Sequence, residues 1–377
     1  MATTYKIGIV LDDTLDSSDG VQQHVLLLGY WLNKQGHDVH YLVGNTARTD
    51  ILNTHSFTRN VRVKFNRNVL SVPLPASSRK IYNTLVQNQF DILHVQMPHS
   101  PMFAARVVAL APATTAIVGT FHIAPFSRFE TAASQLLGFW LKPNMKYFDE
   151  IISVSPAAAE LAAKAFRQKS TIIPNAIDIT NFKSKPYKQK KPLIVFVGRL
   201  VPRKGAEHLI QALARMHELY PGMVFEARIC GQGRDLAKLQ RLVRRRGLSE
   251  LVVFEGFVSE DKKKRLLSTA RGAVFPSIGG ESFCIVLLEA MAAGAHVVLA
   301  GNNPGYAGVL ENDRAALFDP ADHSVLADKL AALLSDDILA DELHARQQAL
   351  VKRYDIGVVG SQIVAVYKRA INKHKLF

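Results

Sequence analysis

Cysteine is nearly missing from this sequence: two occur in 377 residues, Cys230 and Cys284, each inside an apolar run. Thiols so few and so placed exclude a disulfide framework or a cysteine-rich metal site, and they read as small buried hydrophobes suited to a reducing compartment. Long apolar runs are missing too. The best, Ala104 to Val118, is short and broken by Arg106 and Pro112, so nothing nears the roughly 18 residues that cross a bilayer. The start, MATTYKIGIVL, has no basic segment followed by an apolar stretch and a cleavage site, so no secretory signal is expected and the chain should stay in the cytosol. Acidic residues are outnumbered, 32 against 46 Lys and Arg, giving a formal net charge of +14 that attracts phosphates. The basic stretches Lys183 to Lys191, Arg241 to Arg246, Lys262 to Arg265 and the tail after Lys368 lack the interleaved aromatics that stack bases. An anionic membrane surface is therefore the expected partner, and nucleic acid is not.

Two chemical signatures are also lacking. No G-x-G-x-x-G follows the first strand-like run, which argues against a nicotinamide-dependent oxidoreductase. No Asp-x-Asp pair follows a strand as a metal-dependent transferase would need, so no cofactor and no protein-bound metal is expected. The acidic loop Asp12 to Gly20 lacks the sixth-position Gly and twelfth-position Glu of a calcium loop, and it reads as a polar loop facing water.

What is present is the composition of a globular protein, 48% hydrophobic and 21% charged, with a length that implies two domains and a cleft. Apolar runs bounded by turns alternate with helical stretches, which predicts α/β architecture with parallel strands buried on both faces. The strand candidates are KIGIVL, VHYLV, DILHVQ, AIVGTFH, EIISVS and STIIP, then LIVFVGR, VFEARICG, VVFEGF, GAVFPS and HVVLAG. Helices are predicted over Gly205 to Leu219, Arg234 to Arg246, Glu281 to Ala293 and Val358 to Ile371. Lysines and two prolines over Lys183 to Pro192 mark a linker. The reading is a doubly wound domain over 1–183, a second over 192–357, and a C-terminal helix in 358–377 that packs back on the first.

In doubly wound sheets, ligands sit beyond the carboxyl ends of strands, which selects two loops. In SIGGESFCIVLLEAMAAGA, from Ser277, Gly279 and Gly280 let the backbone approach a ligand, and a helix starting near Ser282 and ending at Gly294 would aim free amides at an anion. Glu281 and Glu289 suit sugar and ribose hydroxyls; the plainer alternative is a helix cap and a solvated helix residue. In VGRLVPRKG, from Val197, Arg199 and Lys204 bring paired cations suited to a departing diphosphate, with Arg203 the one most readily left to solvent. An exposed basic turn is the alternative there. His122 follows the apolar run AIVGTF and falls at a strand end.

Taken in order, these segments resemble family 4 of the retaining glycosyltransferases over nearly the whole chain. The resemblance rests on the Glu281 and Glu289 spacing, Gly198 to Gly205, IIPNAID at Ile172 to Asp178, TFH at Thr120 to His122, ISVSPAA at Ile152 to Ala158, the turn Gly231 to Gly233, and NPGY at Asn303 to Tyr306. DGVQQHVLLL at Asp19 to Leu28, VKFN at Val63 to Asn66 and SSRKIYNTLVQNQFDILHVQMPHSP are similar to the phosphatidylinositol mannosyltransferase branch. This implies a GT-B fold, two Rossmann-like domains facing each other across a cleft, with the nucleotide sugar on the C-terminal half and the acceptor on the N-terminal half. It implies catalytic roles for His122, Glu281, Arg199 and Lys204. Donor contacts would come from Gly20, Arg199, Lys204, Gly280, Glu281, Ser282, Phe283 and Glu289, acceptor contacts from Asp19, Gln22 and His122, and membrane contact from Arg79 and Lys80.

The implied reaction moves a hexose, mannose from GDP-mannose, to a lipid such as phosphatidylinositol at the inner membrane face. A UDP-glucose-type transferase with a soluble or polysaccharide acceptor, or a non-catalytic sugar-nucleotide binder, are the competing readings. The chain departs from the family where Asp19 replaces a Gly, where Cys284 replaces a Gly, and where Ala295 and His296 replace a small residue and Pro.

Overall fold

A computed structural model of the chain describes residues 3–17, 19–65, 68–123, 138, 141–182 and 191–376. Two compact units form, Met1–Ala176 with Ile356–Phe377, and Ile177–Asp355. Most of the lysine-rich stretch expected to be a linker, residues 183–190, lies outside the described residues, as do Ser18 and Asn66.

Unit 1 is built on a seven-stranded parallel sheet. Its strands are β1 (Lys6–Val10), β2 (Asp38–Gly44), β3 (Thr54–Thr58), β6 (Ile92–Gln96), β7 (Ala116–Phe121), β8 (Glu150–Ser153) and β9 (Thr171–Ile172), in the order β3-β2-β1-β6-β7-β8-β9. Between β3 and β6 lies an antiparallel hairpin of β4 (Asn60–Phe65) and β5 (Asn68–Pro73); neither the hairpin nor β3 was among the expected strands. Helix α1 (Gly20–Lys34) buries Val25, Leu28 and Leu32, the i, i+3, i+7 stripe of an amphipathic helix, against this sheet. Helix α2 (Ser78–Asn88) is capped by the Ser77 hydroxyl on the Lys80 amide, and it is followed by α3 (Phe103–Ala109). Helix α4 (Pro156–Phe166) is capped by Ser155, with proline at its first position where no amide bond is lost.

Unit 2 carries a six-stranded parallel sheet. Its strands are β10 (Lys191–Val197), β11 (Glu226–Cys230), β12 (Val252–Gly256), β13 (Ala270–Phe275), β14 (Val297–Gly301) and β15 (Leu317–Phe318), in the order β12-β11-β10-β13-β14-β15. Its helices are α5 (Ala206–Leu219), α6 (Leu236–Arg245), α7 (Glu260–Thr269), α8 (Ile285–Ala292), α9 (Pro304–Val309), α10 (His323–Ser335) and α11 (Asp337–Val351). The predicted strands all form. The helix expected to start near Ser282 begins at Ile285, because Gly279 and Gly280 adopt positive φ and residues 281–284 stay extended or bent ahead of it.

The last helix, α12 (Ile356–His374), belongs to unit 1. Its Val359, Ile363, Val366, Tyr367 and Ala370 share one core with Val25, Leu28 and Leu32 of α1. Lys373 and His374 then pin its end to Asp149. Among the described residues no helix is long and apolar enough to cross a membrane.

Both sheets reverse strand order at one place, between β1 and β6 in unit 1 and between β10 and β13 in unit 2. In sheets of this kind the loops after such strand pairs diverge and leave a crevice at the carboxyl edge. Every strand-end segment singled out from the sequence for chemistry belongs to one of these loops or to its neighbour.

Candidate functional site

In unit 2 the loop after β10 and the loop after β13 are stitched together before any side chain is aimed. Gly205 adopts φ +74, and a Cβ there would collide with the Pro276 carbonyl oxygen, so only glycine lets the two loops touch. The Ile278 amide donates to the Arg203 carbonyl at 3.0 Å, and the Ser277 hydroxyl donates to the same oxygen at 2.9 Å.

On that base Glu281 is gripped by two cations. Its Oε1 accepts from Arg203 Nη1 at 2.6 Å and from Lys204 Nζ at 2.8 Å, and Ser277 Oγ lies 3.2 Å away with its proton shared toward the Arg203 carbonyl. The carboxylate side chain is only 10% exposed, so these charge-assisted bonds are screened less than surface pairs. Arg203, expected to be solvated, is therefore a partner of the key carboxylate; the 3-10 turn Pro202–Lys204 swings it inward. Arg199 is exposed and makes no ion pair among the described residues. Three cations against one carboxylate leave the loop pair positive, which suits a diphosphate.

The NPGY segment supports this turn from behind. Asn303 caps α9 by accepting from the Tyr306 amide at 3.1 Å and donates to the Ser277 carbonyl at 3.1 Å. Gly280 and a half-buried Ser282 lie in the turn itself. Phe283, expected to be a donor contact, is buried with its ring edge-on to Tyr354 at 5.8 Å. Burial pushes the Cys284 thiol up to about 11, in contact with the Tyr306 hydroxyl.

Glu289 is buried one helix deeper and is bonded to Lys263 of α7 at 3.0 Å, each side chain 8% exposed. Lys263 also reaches Glu260 at 2.9 Å. Burial alone would lower the ammonium, but the two carboxylates outweigh it and hold Lys263 above its usual range. A solvated helix residue, the plainer reading of Glu289, is thereby excluded.

In unit 1 the first loop is tied to its neighbours at one end and faces water at the other. Asp12 accepts from the Ser100 hydroxyl and from the Ala104 amide in the first turn of α3, and burial raises its pKa. Asp16 accepts from Thr46 Oγ1 at 2.5 Å and from the Ala47 amide at 2.9 Å. The expectation of a polar loop facing water therefore holds for the exposed Asp16, Asp19 and Gly20, but not for Asp12, whose carboxylate is spent on Ser100 and the α3 backbone. Gln22 is buried and donates to Asp13 at 2.9 Å. Asp19 stands before α1 without capping it, exposed and within 3.4 Å of the Ser17 hydroxyl, while Gly20 opens the helix.

His122, just beyond β7, is buried and bonded through Nε2 to Gln96 Oε1 at 2.7 Å. It is not a lone histidine. His24 of α1 meets it edge-on at 5.1 Å between ring centres. His94 bridges Thr120 at 2.7 Å and Tyr367 of α12 at 2.8 Å. His99 stacks on Phe121. Burial lowers His24 and His99 to about 4 and His94 to about 3, and holds His122 well below its usual range, so all four are neutral at pH 7. Thr120 lies opposite Gln96 in the β6–β7 register, and His94 and Gln96 are two residues apart on one strand face. That period-two signal was readable in LHVQ.

Of the residues expected to be membrane contacts, Arg79 is exposed, but Lys80 is turned back, donating to the Ser56 carbonyl at 2.8 Å beside the Phe57 ring. Among the described residues no group of three or more His, Cys, Asp or Glu could hold a metal ion.

The chain matches known proteins over both units. Residues 18–181 match the family described as Glycosyltransferase Family 4, and residues 178–349 match Glycosyl transferases group 1. It is 32% identical to a phosphatidyl-myo-inositol mannosyltransferase of Mycobacterium tuberculosis, over 96% of either chain. The protein of that name from Propionibacterium freudenreichii is 31% identical over 96% of this chain and 94% of its own. Among solved structures, HepE of Anabaena in complex with UDP superposes with a TM-score of 0.77 at 18% identity over 96% of this chain and 99% of its own. A Rickettsia africae glycosyltransferase gives 0.75 at 16% identity over 98% and 99%. The architecture is that of the GT-B glycosyltransferases.

Proposed function

The chain belongs to the family 4 glycosyltransferases that include the phosphatidyl-myo-inositol mannosyltransferases, and from that premise we propose that it transfers mannose from GDP-mannose to a phosphatidylinositol lipid with retention of configuration. The observation that carries the transfer is Glu281 held between Arg203 and Lys204 at the switch point of unit 2, with Arg199 of the same loop unpaired among the described residues. The names of the relatives support the sugar and the lipid.

The chemistry asked of these residues is electrostatic. The bond between the sugar's anomeric carbon and the diphosphate breaks, a new bond to an acceptor hydroxyl forms on the same face, and the acceptor proton passes to the leaving phosphate. Arg199 and Lys204 stabilise the charge that builds on that phosphate. Glu281 accepts hydroxyls of the transferred sugar, and Glu289 those of the ribose. Asp19, Gln22 and a neutral His122 serve the acceptor by hydrogen bonds, without a protein general base. Protein side chains and amides do the phosphate binding, so no divalent cation is required. With a lipid acceptor, the enzyme works as a peripheral protein on the inner face of the cell membrane, where the exposed Arg79 is the proposed contact on α2 and Lys80 is held back by the Ser56 carbonyl.

The test is incubation with GDP-mannose, UDP-glucose and UDP-N-acetylglucosamine in turn, each with phosphatidylinositol, followed by separation of the lipid product and determination of its anomeric configuration. Mannosyl lipid formed from GDP-mannose alone supports the reading. A product from a UDP-sugar alone, or none with lipid, overturns it.

A further inference from the structure

Helix α6 of unit 2 carries charge that the transfer reaction does not use. Residues 234–246 hold six cations, Arg234, Lys238, Arg241, Arg244, Arg245 and Arg246, against one carboxylate, Asp235. Helical spacing sorts them: Leu239, Leu242 and Val243 enter the core while every cation stays exposed. Four of them, Lys238, Arg241, Arg244 and Arg245, line one shallow hollow.

Little neutralises this stripe. Lys238 meets Glu207 at 2.5 Å and Arg234 lies 3.7 Å from Asp235. Arg241 spends its Nε on the Ala237 carbonyl, and Arg244, Arg245 and Arg246 make no ion pair among the described residues. Like charges three and four residues apart destabilise a helix. The helix dipole favours cations in the last turn, but it disfavours Arg234 and Lys238 at the first. The pattern is therefore one that helix stability alone does not select.

We infer that the exposed face of α6 is a docking surface for an acidic lipid bilayer. Charge complementarity selects an anionic partner, and the absence of any aromatic residue in 234–246 removes the stacking platform that single-stranded nucleic acid needs. The choice of a bilayer as the anion rests on the proposed lipid acceptor.

The test uses the full chain, without nucleotide sugar, in cosedimentation with phosphatidylcholine vesicles that contain or lack phosphatidylglycerol. Because phosphatidylglycerol has no inositol, binding and acceptor use are read separately: if binding holds while transfer to phosphatidylinositol fails, the acceptor reading alone falls. Wild type is expected to bind only the acidic vesicles and to release them as salt rises. The R241Q/R244Q/R245Q variant should bind about 100-fold more weakly, R244Q alone about fivefold, and R241K/R244K/R245K like wild type. Equal sedimentation with and without phosphatidylglycerol, or wild-type affinity in the triple Gln variant with full binding by R244Q, would overturn the inference. So would salt-sensitive capture of an oligonucleotide by a chain that ignores the vesicles.

Discussion

Gly305 lies against the backbone of Glu281: a Cβ at position 305 would fall closer to the Glu281 carbonyl oxygen than any real contact allows. The glycine of NPGY thus works through space, letting the first turn of α9 press on the segment that presents the carboxylate. Gly305→Ala should cost about 1–3 kcal/mol of stability by overpacking. It should also lower kcat/KM for transfer by about 100-fold, the effect of displacing a positioned group by roughly 1 Å. Thermal unfolding and steady-state kinetics read the two, and wild-type kinetics in a folded variant would refute the link.

Arg203 shares Glu281 with Lys204, so losing either cation leaves the other in place. A hydrogen bond to a charged group is worth about 1.5–3 kcal/mol. Arg203→Ala is expected to lower kcat/KM by about 10- to 100-fold, and the R203A/K204A double variant by less than the product of the singles or by more, but not by the product itself. Strict additivity across this cycle would mean that the two cations act independently.

Lys263 and Glu289 form a buried pair, and removing one partner strands the other. Lys263→Met should lose about 3–5 kcal/mol in urea unfolding, and K263M/E289Q should recover much of it. If K263M unfolds at the wild-type midpoint, the pair is not holding α7 to α8.

The neutral histidines of unit 1 give a pH dependence with a definite sign. Their folded pKa values are depressed, so the unfolded chain binds the extra protons. The stability they contribute is complete above pH 6.5 and is lost as pH falls toward about 4, the folded value of His24 and His99. The midpoint of thermal unfolding should drop steeply through that interval. His99→Phe, which keeps a ring against Phe121 and Phe166, should flatten the drop. An unchanged slope in the variant would remove His99 from the account.

Much of the scaffold was legible because parallel strands buried on both faces write themselves as continuous apolar runs, and every such run became a strand. The two loops of the candidate site were legible because glycine, cations and carboxylates recur at short spacing beside strand ends. What could not be read is where side chains from distant segments meet. Arg203 and Lys204 are adjacent in sequence, and only the shape of the Pro202–Lys204 turn brings both to Glu281. Lys263 sits in a run of lysines that looks solvated, yet its register on α7 sends it alone inward to Glu289. Asp12 and Ser100 are 88 residues apart, and His94 and Tyr367 are 273 apart, so no local pattern connects either pair.

That last contact bears on the order in which the molecule is made. Residues 177–355 are one continuous stretch, so unit 2 has its whole sequence available as soon as that stretch has left the ribosome. Unit 1 begins first but waits, since Tyr367 and the apolar stripe of α12 fill its core and reach His94 only after residue 374 has emerged. Domains usually mature in the order of synthesis, N-terminal first. Here translation reverses the sequence: the segment made second is the first to be complete, and nascent chains halted anywhere between 177 and 355 should display an open, chaperone-accessible face on α1.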